Sequence, residues 1–226
     1  MAFSHNPKIV TDGLVLALDS ADKNSYGGSG TTWSDLSING NNATLSAAAI
    51  GTDTAGSMDF NGSSEYLTIT NSTSLQIANN ITYEWWFKTN STSGEDWFFS
   101  NNIGSTPLVL CSIDNNGAIQ FQFTDDDGTI VSGNYTDSGT LTGWHHCALV
   151  RSGTTASLYT DTVQKITDND ASFDTITLTS NFEVARDTRA ARYFAGYMDA
   201  FRIYNKALST KEIEQNFNAQ RARFGV

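Results

Sequence analysis

Cysteine, proline, basic side chains and long apolar runs are all scarce in this 226-residue chain, and each scarcity removes a class of protein. The two cysteines, Cys111 and Cys147, lie in alternating apolar stretches with no CxxC spacing and no His-rich company, which excludes a disulfide scaffold. Spacing alone leaves open whether they are two buried thiols or one bridge between neighbouring strands. No apolar run approaches the ~20 residues of a membrane span, and the first residues lack the basic-then-apolar pattern of a secretory signal. The expectation is therefore a protein made in a host cytoplasm, with no membrane insertion. Thirteen basic side chains face 24 acidic ones, a net charge of −11, so nucleic acid is not an expected partner.

The charge is unevenly spread. Residues 1–185 hold 5 basic and 20 acidic side chains, net −15, and residues 186–226 hold 8 and 4, net +4. That basic ending either offsets the field of the acidic body or docks an acidic partner, and Arg221, Arg223 and Phe224 are the candidate docking residues.

Short alternating runs, separated by Gly, Asn, Asp, Ser and Thr, recur about every 8 to 12 residues, the spacing of an antiparallel sandwich. Ile81, Tyr83, Trp85 and Phe87 share one face of a strand, with Thr82, Glu84, Trp86 and Lys88 on the other. Ile119, Phe121 and Phe123 alternate with Gln120, Gln122 and Thr124, and Asp125 to Gly128 supply a turn. With only Pro7 and Pro107, the ladders are free to form. Helical spacing enters at the end, where Ser209-Thr210-Lys211-Glu212 has the form of a capping box ahead of Ile213, Phe217 and Phe224. One domain over 1–226, closed by a terminal helix at 208–224, is the expectation.

Four segments in order resemble the laminin-G-like branch of the concanavalin A-like superfamily. They are Asp12 to Asp19 with Trp33 to Leu45, Ser57 to Leu67, Trp144 to Arg151 with Ser157 to Asp161, and Gly196-Tyr197-Met198-Asp199-Ala200-Phe201-Arg202 running on to Ser209. The resemblance implies an all-β, concanavalin A-like (laminin-G-like) fold: a two-sheet antiparallel sandwich, or jelly roll, with one short C-terminal helix. The fold hosts lectins, hydrolases and structural modules, so it does not fix a function. Met1 to Leu14 and Phe217 to Gly225 also resemble short structural proteins of tailed phages of marine bacteria.

Hydrolases of this fold need two facing carboxylates about 5 to 9.5 Å apart. The six glutamates, Glu65, Glu84, Glu95, Glu183, Glu212 and Glu214, form no such cluster, and no nucleophile elbow or phosphate loop is present. His145 and His146 are adjacent on a strand, point to opposite faces and cannot share a metal. The resemblance implies structural calcium on the last strand at Asp199, with carbonyl donors near Asp12 to Leu14 and at Gly62, and with Asp19 a further candidate; the competing reading pairs Asp199 with a neighbouring arginine. A pentraxin-like ligand site over Asn181 to Asp187 is disfavoured because Arg186 intrudes.

For glycans, an aromatic platform beside hydrogen-bonding groups is required. Trp86 with Glu84 and Arg202, and Trp97 beside Asp96, are the candidates, unless Trp86 lies beneath a loop or the terminal helix. Trp33 and Trp144 are expected in the core. The leading expectation is a non-enzymatic virion-surface protein, a capsid decoration or fibre component that contacts a capsid or other virion protein, forms homo-oligomers on the particle and touches host-surface glycan. The alternatives are a free-standing carbohydrate-binding module or lectin and, behind it, a glycan hydrolase or lyase.

Overall fold

Alternation with period two gives every strand an apolar side, and two sheets hide those sides by stacking them face to face. The computed structural model describes residues 7–47, 51–52, 56–90, 94–101, 106–136, 141–187 and 192–226. In chain order the first strands are β1 (Leu14–Leu18), β2 (Thr32–Trp33), β3 (Ala43–Leu45), β4 (Gly51–Thr52), β5 (Met58–Asn61) and β6 (Leu67–Ile69). There follow β7 (Asn80–Thr89), β8 (Asp96–Asn101), β9 (Leu108–Ile113), β10 (Ala118–Thr124), β11 (Ile130–Thr136) and β12 (His145–Ser152). The last are β13 (Thr155–Thr160), β14 (Val163–Asn169), β15 (Phe182–Val184), β16 (Arg186–Asp187), β17 (Arg192–Tyr193) and β18 (Ala195–Tyr204), before the helix α1 (Thr210–Phe224).

The first sheet runs β14-β13-β12-β7-β18-β5-β4, with β1 continuing the β5 side of β18; the second runs β11-β10-β9-β8-β15-β6-β3-β2. Every pairing is antiparallel, so the molecule is an all-β jelly-roll sandwich with one C-terminal helix, as expected. Strands β16 and β17 form a separate hairpin. Ala185, at φ 63°, turns the chain out of β15 into it.

Aromatic rings meet at the centre of the interior. Tyr83 stacks on Phe182 at 5.4 Å, Trp85 meets Phe99 edge-on at 5.2 Å, and Phe87 meets Phe98 at 4.6 Å, so the β7 stripe expected from alternation is the centre of the core. Each such side chain contributes about 1.5–3 kcal/mol by leaving water. Cys111 and Cys147 are buried free thiols. Asp125 accepts the amides of Asp127, Thr129 and Asp174, the local turn role expected of it.

The helix decides what remains of the first sheet's outer face. Ser209 caps it and Glu212 reaches back to the Ser209 amide, forming the expected capping box, while Gly225 ends it at φ 74°. Thr82 Oγ1 accepts from the Leu208 amide and donates to the Lys206 carbonyl, fixing where α1 starts over β7. Ile213, Asn216 and Phe224 then face down onto the sheet and are buried.

Candidate functional site

Trp86, Glu84 and Arg202 come together, but beneath α1 and out of reach of a ligand. Trp86 is 0% exposed, stacked on Phe217 at 5.4 Å and on Phe224 at 4.2 Å. Glu84, equally buried, accepts from His146 Nε2 at 2.8 Å, Asn216 Nδ2 at 2.8 Å and Arg202 Nη1 at 3.3 Å. Burial pushes the Glu84 carboxyl up, yet these donors outweigh it and hold the group below its ordinary 4.5. Asn216 also bonds the Tyr204 hydroxyl and takes the Val10 amide, so the network ties helix, sheet and N-terminal segment together. The expected open groove at Trp86 is thus corrected: the face is apolar enough to require a cover, and the amphipathic helix supplies it. Trp144 is corrected likewise, being half-buried at 4.6 Å from Phe224 rather than between the sheets; Trp33 is in the core.

The candidate calcium residues meet a cation already present in the chain. Arg223 Nη1 lies 2.7 and 2.9 Å from the two Asp19 oxygens, and its Nη2 bonds Asp199 Oδ2. Asp199 Oδ1 accepts from the Ser20 and Ala200 amides. Gly62 provides no ligand cage: at φ +69° it packs where a Cβ would come within 2.7 Å of the Ala195 Cβ. A guanidinium bridging both carboxylates does not fit a calcium ion there, and among the described residues no group of three or more His, Cys, Asp or Glu is placed to hold a metal. The docking residues are corrected for the same reason. Arg223 and the buried Phe224 bind α1 to its own sheet, leaving only Arg221 of that trio exposed. The adjacent histidines diverge as expected, His145 to Asp161 and His146 to Glu84, each at 2.8 Å.

The second sheet keeps its outer face polar. Register places Trp97, Ser112, Gln120 and Asn134 in one row across β8, β9, β10 and β11, and Ser100, Leu110, Gln122 and Ser132 in the next. Between these rows and Arg192 of the β16–β17 hairpin lies an open groove of about 370 Å³. That volume falls within the ~300–1,000 Å³ of small-ligand sites. Of the two tryptophans expected to meet a glycan, Trp97 alone reaches this groove, and it does so as floor: only 2% exposed, it packs with Leu108 and Leu110, with the Arg192 guanidinium 5.9 Å from its ring. Asp96 is buried behind the groove, accepting from the Ala195 amide and Thr89; burial raises its pKa. Arg192 pairs with Glu95 at 2.5 Å at the rim.

Gln120, Gln122, Ser132, Asn134 and Arg192 are not among the candidates that the sequence suggests. The outward Gln120/Gln122/Thr124 stripe is visible there, but which stripes share a face depends on pairing between strands distant in sequence.

Residues 61–214, more than half the chain, match the family described as the concanavalin A-like lectin/glucanases superfamily. No curated protein matches. Among solved structures, the receptor-binding domain of a botulinum neurotoxin C/D mosaic serotype superposes with a TM-score of 0.75 at 17% identity, covering 93% of this chain and 52% of that one. The botulinum neurotoxin serotype D ligand-binding domain in complex with N-acetylneuraminic acid gives 0.74 at 17% identity, with 93% and 52% covered. The binding domain of Paraclostridial mosquitocidal protein 1 gives 0.65 at 16%, with 92% and 52%. The chain therefore spans about half the length of these binding domains, and the likeness is one of fold.

Proposed function

The chain belongs to the concanavalin A-like lectin/glucanases superfamily, and from that premise we propose that it is a single-domain, non-enzymatic glycan-recognition module whose ligand lies in the groove on the outer face of the second sheet. The observation that carries this reading is the groove itself, an open concavity with a Trp97 floor and walls of Gln120, Gln122, Ser132 and Asn134. Amides and hydroxyls around an apolar floor are the groups a sugar needs, since its hydroxyls require partners and its ring faces are apolar. Recognition is favoured over hydrolysis because no carboxylate lines the groove among the described residues, whereas glycosidic cleavage requires two. The nearby carboxylates Glu95, Asp114 and Asp168 are engaged by Arg192, Asn134 and the Ser132 amide.

Ser132 is exposed on the outer strand of the sheet, so Ser132→Trp fills the groove without entering the core. On a glycan array the wild type is expected to bind and Ser132→Trp to be silent at equal stability. Equal binding by both proteins would remove the groove from the account.

The setting we propose is a virion surface, with a capsid or other virion protein as anchor and several copies arranged by the particle's symmetry. The support is the resemblance of the terminal segments to phage structural proteins; of these, residues 1–6 lie outside the described residues. Mass spectrometry of purified particles should find the protein, and its recovery only from soluble cell extract would overturn this setting.

A further inference from the structure

We infer that the groove selects uncharged glycans that present hydroxyl hydrogens, and discriminates against sialylated, sulfated or phosphorylated ones; this rests on the glycan-recognition reading above. One hydrogen of each amide in the groove is already committed. Gln120 Nε2 donates to Ser112 Oγ at 2.9 Å, Gln122 Nε2 to Thr124 Oγ1 at 2.8 Å, and Asn134 Nδ2 to Asp114 Oδ2 at 3.2 Å. The Asp114 carboxylate can only accept, which fixes the orientation of Asn134. Among the described residues nothing donates to Gln120 Oε1, Gln122 Oε1 or Asn134 Oδ1. Three amide carbonyls are therefore left on one patch of sheet as acceptors, each beside the second N–H of its own amide.

Acceptors call for donors. A glycan hydroxyl donates and accepts, and so serves carbonyl and N–H alike, whereas a sulfate or an ionised carboxylate only accepts and leaves the carbonyls unpaired. Charge acts in the same direction. The cation at the rim, Arg192, is held by Glu95 at 2.5 Å, so an anionic ligand must break that pair to reach it. Asp114 sits beside Asn134 at the other end of the row, Asp168 lies against the Ser132 amide, and the chain as a whole carries a net −11. An anion approaching this face is repelled before contact. The geometry also suits more than one ring. Four adjacent strands at ~4.8 Å spacing make a row about 14 Å wide, ending at β11, where Asp168 of β14 takes the Ser132 amide.

Titration calorimetry with a neutral oligosaccharide drawn from the array, and with its sialylated and sulfated counterparts, tests this directly. Gln120→Glu and Gln122→Glu retain acceptor oxygens and should hold the neutral ligand within about threefold of wild type. The double variant Gln120→Met/Gln122→Met should lose about tenfold or more, because each missing partner removes a hydrogen bond. Both glutamines are half-buried on the sheet surface, and unchanged melting temperatures would confirm that the variants are folded. Tighter binding of the charged counterparts would overturn the selectivity while leaving glycan recognition intact, as would wild-type affinity in the double Met variant. Silence of the wild type toward every glycan would overturn the recognition reading itself, and this inference with it.

Discussion

Arg223→Met removes the guanidinium that bridges Asp19 and Asp199, and the damage should depend on pH in a calculable way. Asp199 is fully buried. Burial pushes its pKa from the ordinary 3.8 up to about 7, with Arg223 pulling it down and Asp19 pushing it further up. A carboxyl raised in the folded state contributes stability that is complete below its unfolded pKa and is lost as pH climbs through the folded value. In the wild type that loss runs between about pH 4 and 7 and reaches at most about 4 kcal/mol, from ~3 pKa units at 1.36 kcal/mol each. Without Arg223 the folded pKa rises further, so the decline continues past 7. At about pH 5 Asp199 holds its proton in both proteins, and the variant loses only the partly exposed Arg223–Asp19 pair, about 1 kcal/mol or less. At about pH 8.5 the wild-type carboxylate is ionised beside its arginine, and removing that partner should cost about 3 kcal/mol. For a chain of this size that is roughly 6–12 °C in Tm. Urea melts at the two pH values, followed by tryptophan fluorescence, measure the difference. A loss that is the same at both pH values, or larger at the acid one, would show that Arg223 does not hold an ionised Asp199, and a chelator that lowers the wild-type Tm would restore calcium to the site.

Glu84→Leu strips the shared carboxylate from His146, Arg202 and Asn216 beneath α1 and should destabilise by about 3–5 kcal/mol at neutral pH. Because the Glu84 pKa is depressed, its contribution is present above the unfolded 4.5 and fades as pH falls through the folded value, so urea melts should show wild type and variant converging in acid. Cys111 is buried, and burial raises its pKa well above the ordinary 9.0. With Cys147 also buried, mass spectrometry after iodoacetamide at about pH 8 should show an unlabelled native protein and two labels once it is unfolded in guanidinium. Labelling of the native protein at the rate of an exposed thiol would contradict that burial.

Most of the fold is legible in the sequence because its signals are local. The β7 alternation, the Asp125 turn and the Ser209/Glu212 capping box are each set by residues within a few positions of one another. The sites are less legible because they are made by contacts across the chain. Alternation gives the right face for Trp86 but not what lies on it, since the cover comes from Phe217 and Phe224 far along the sequence. Asp199 pairs with an arginine, but not with the neighbouring one expected: Arg223 arrives on a helix 24 residues later. The groove depends on the register of four strands, which no local pattern specifies.

Ligand is expected to meet the outer face of the second sheet, since the matching face of the first is closed by α1. Nitrogen-15 labelling gives each of the five tryptophans, Trp33, Trp85, Trp86, Trp97 and Trp144, its own indole resonance. Titration with a bound oligosaccharide should move the Trp97 indole and leave Trp86 and Trp144 in place. Movement of Trp86 and Trp144 with a stationary Trp97 would put the ligand under the helix and contradict the account.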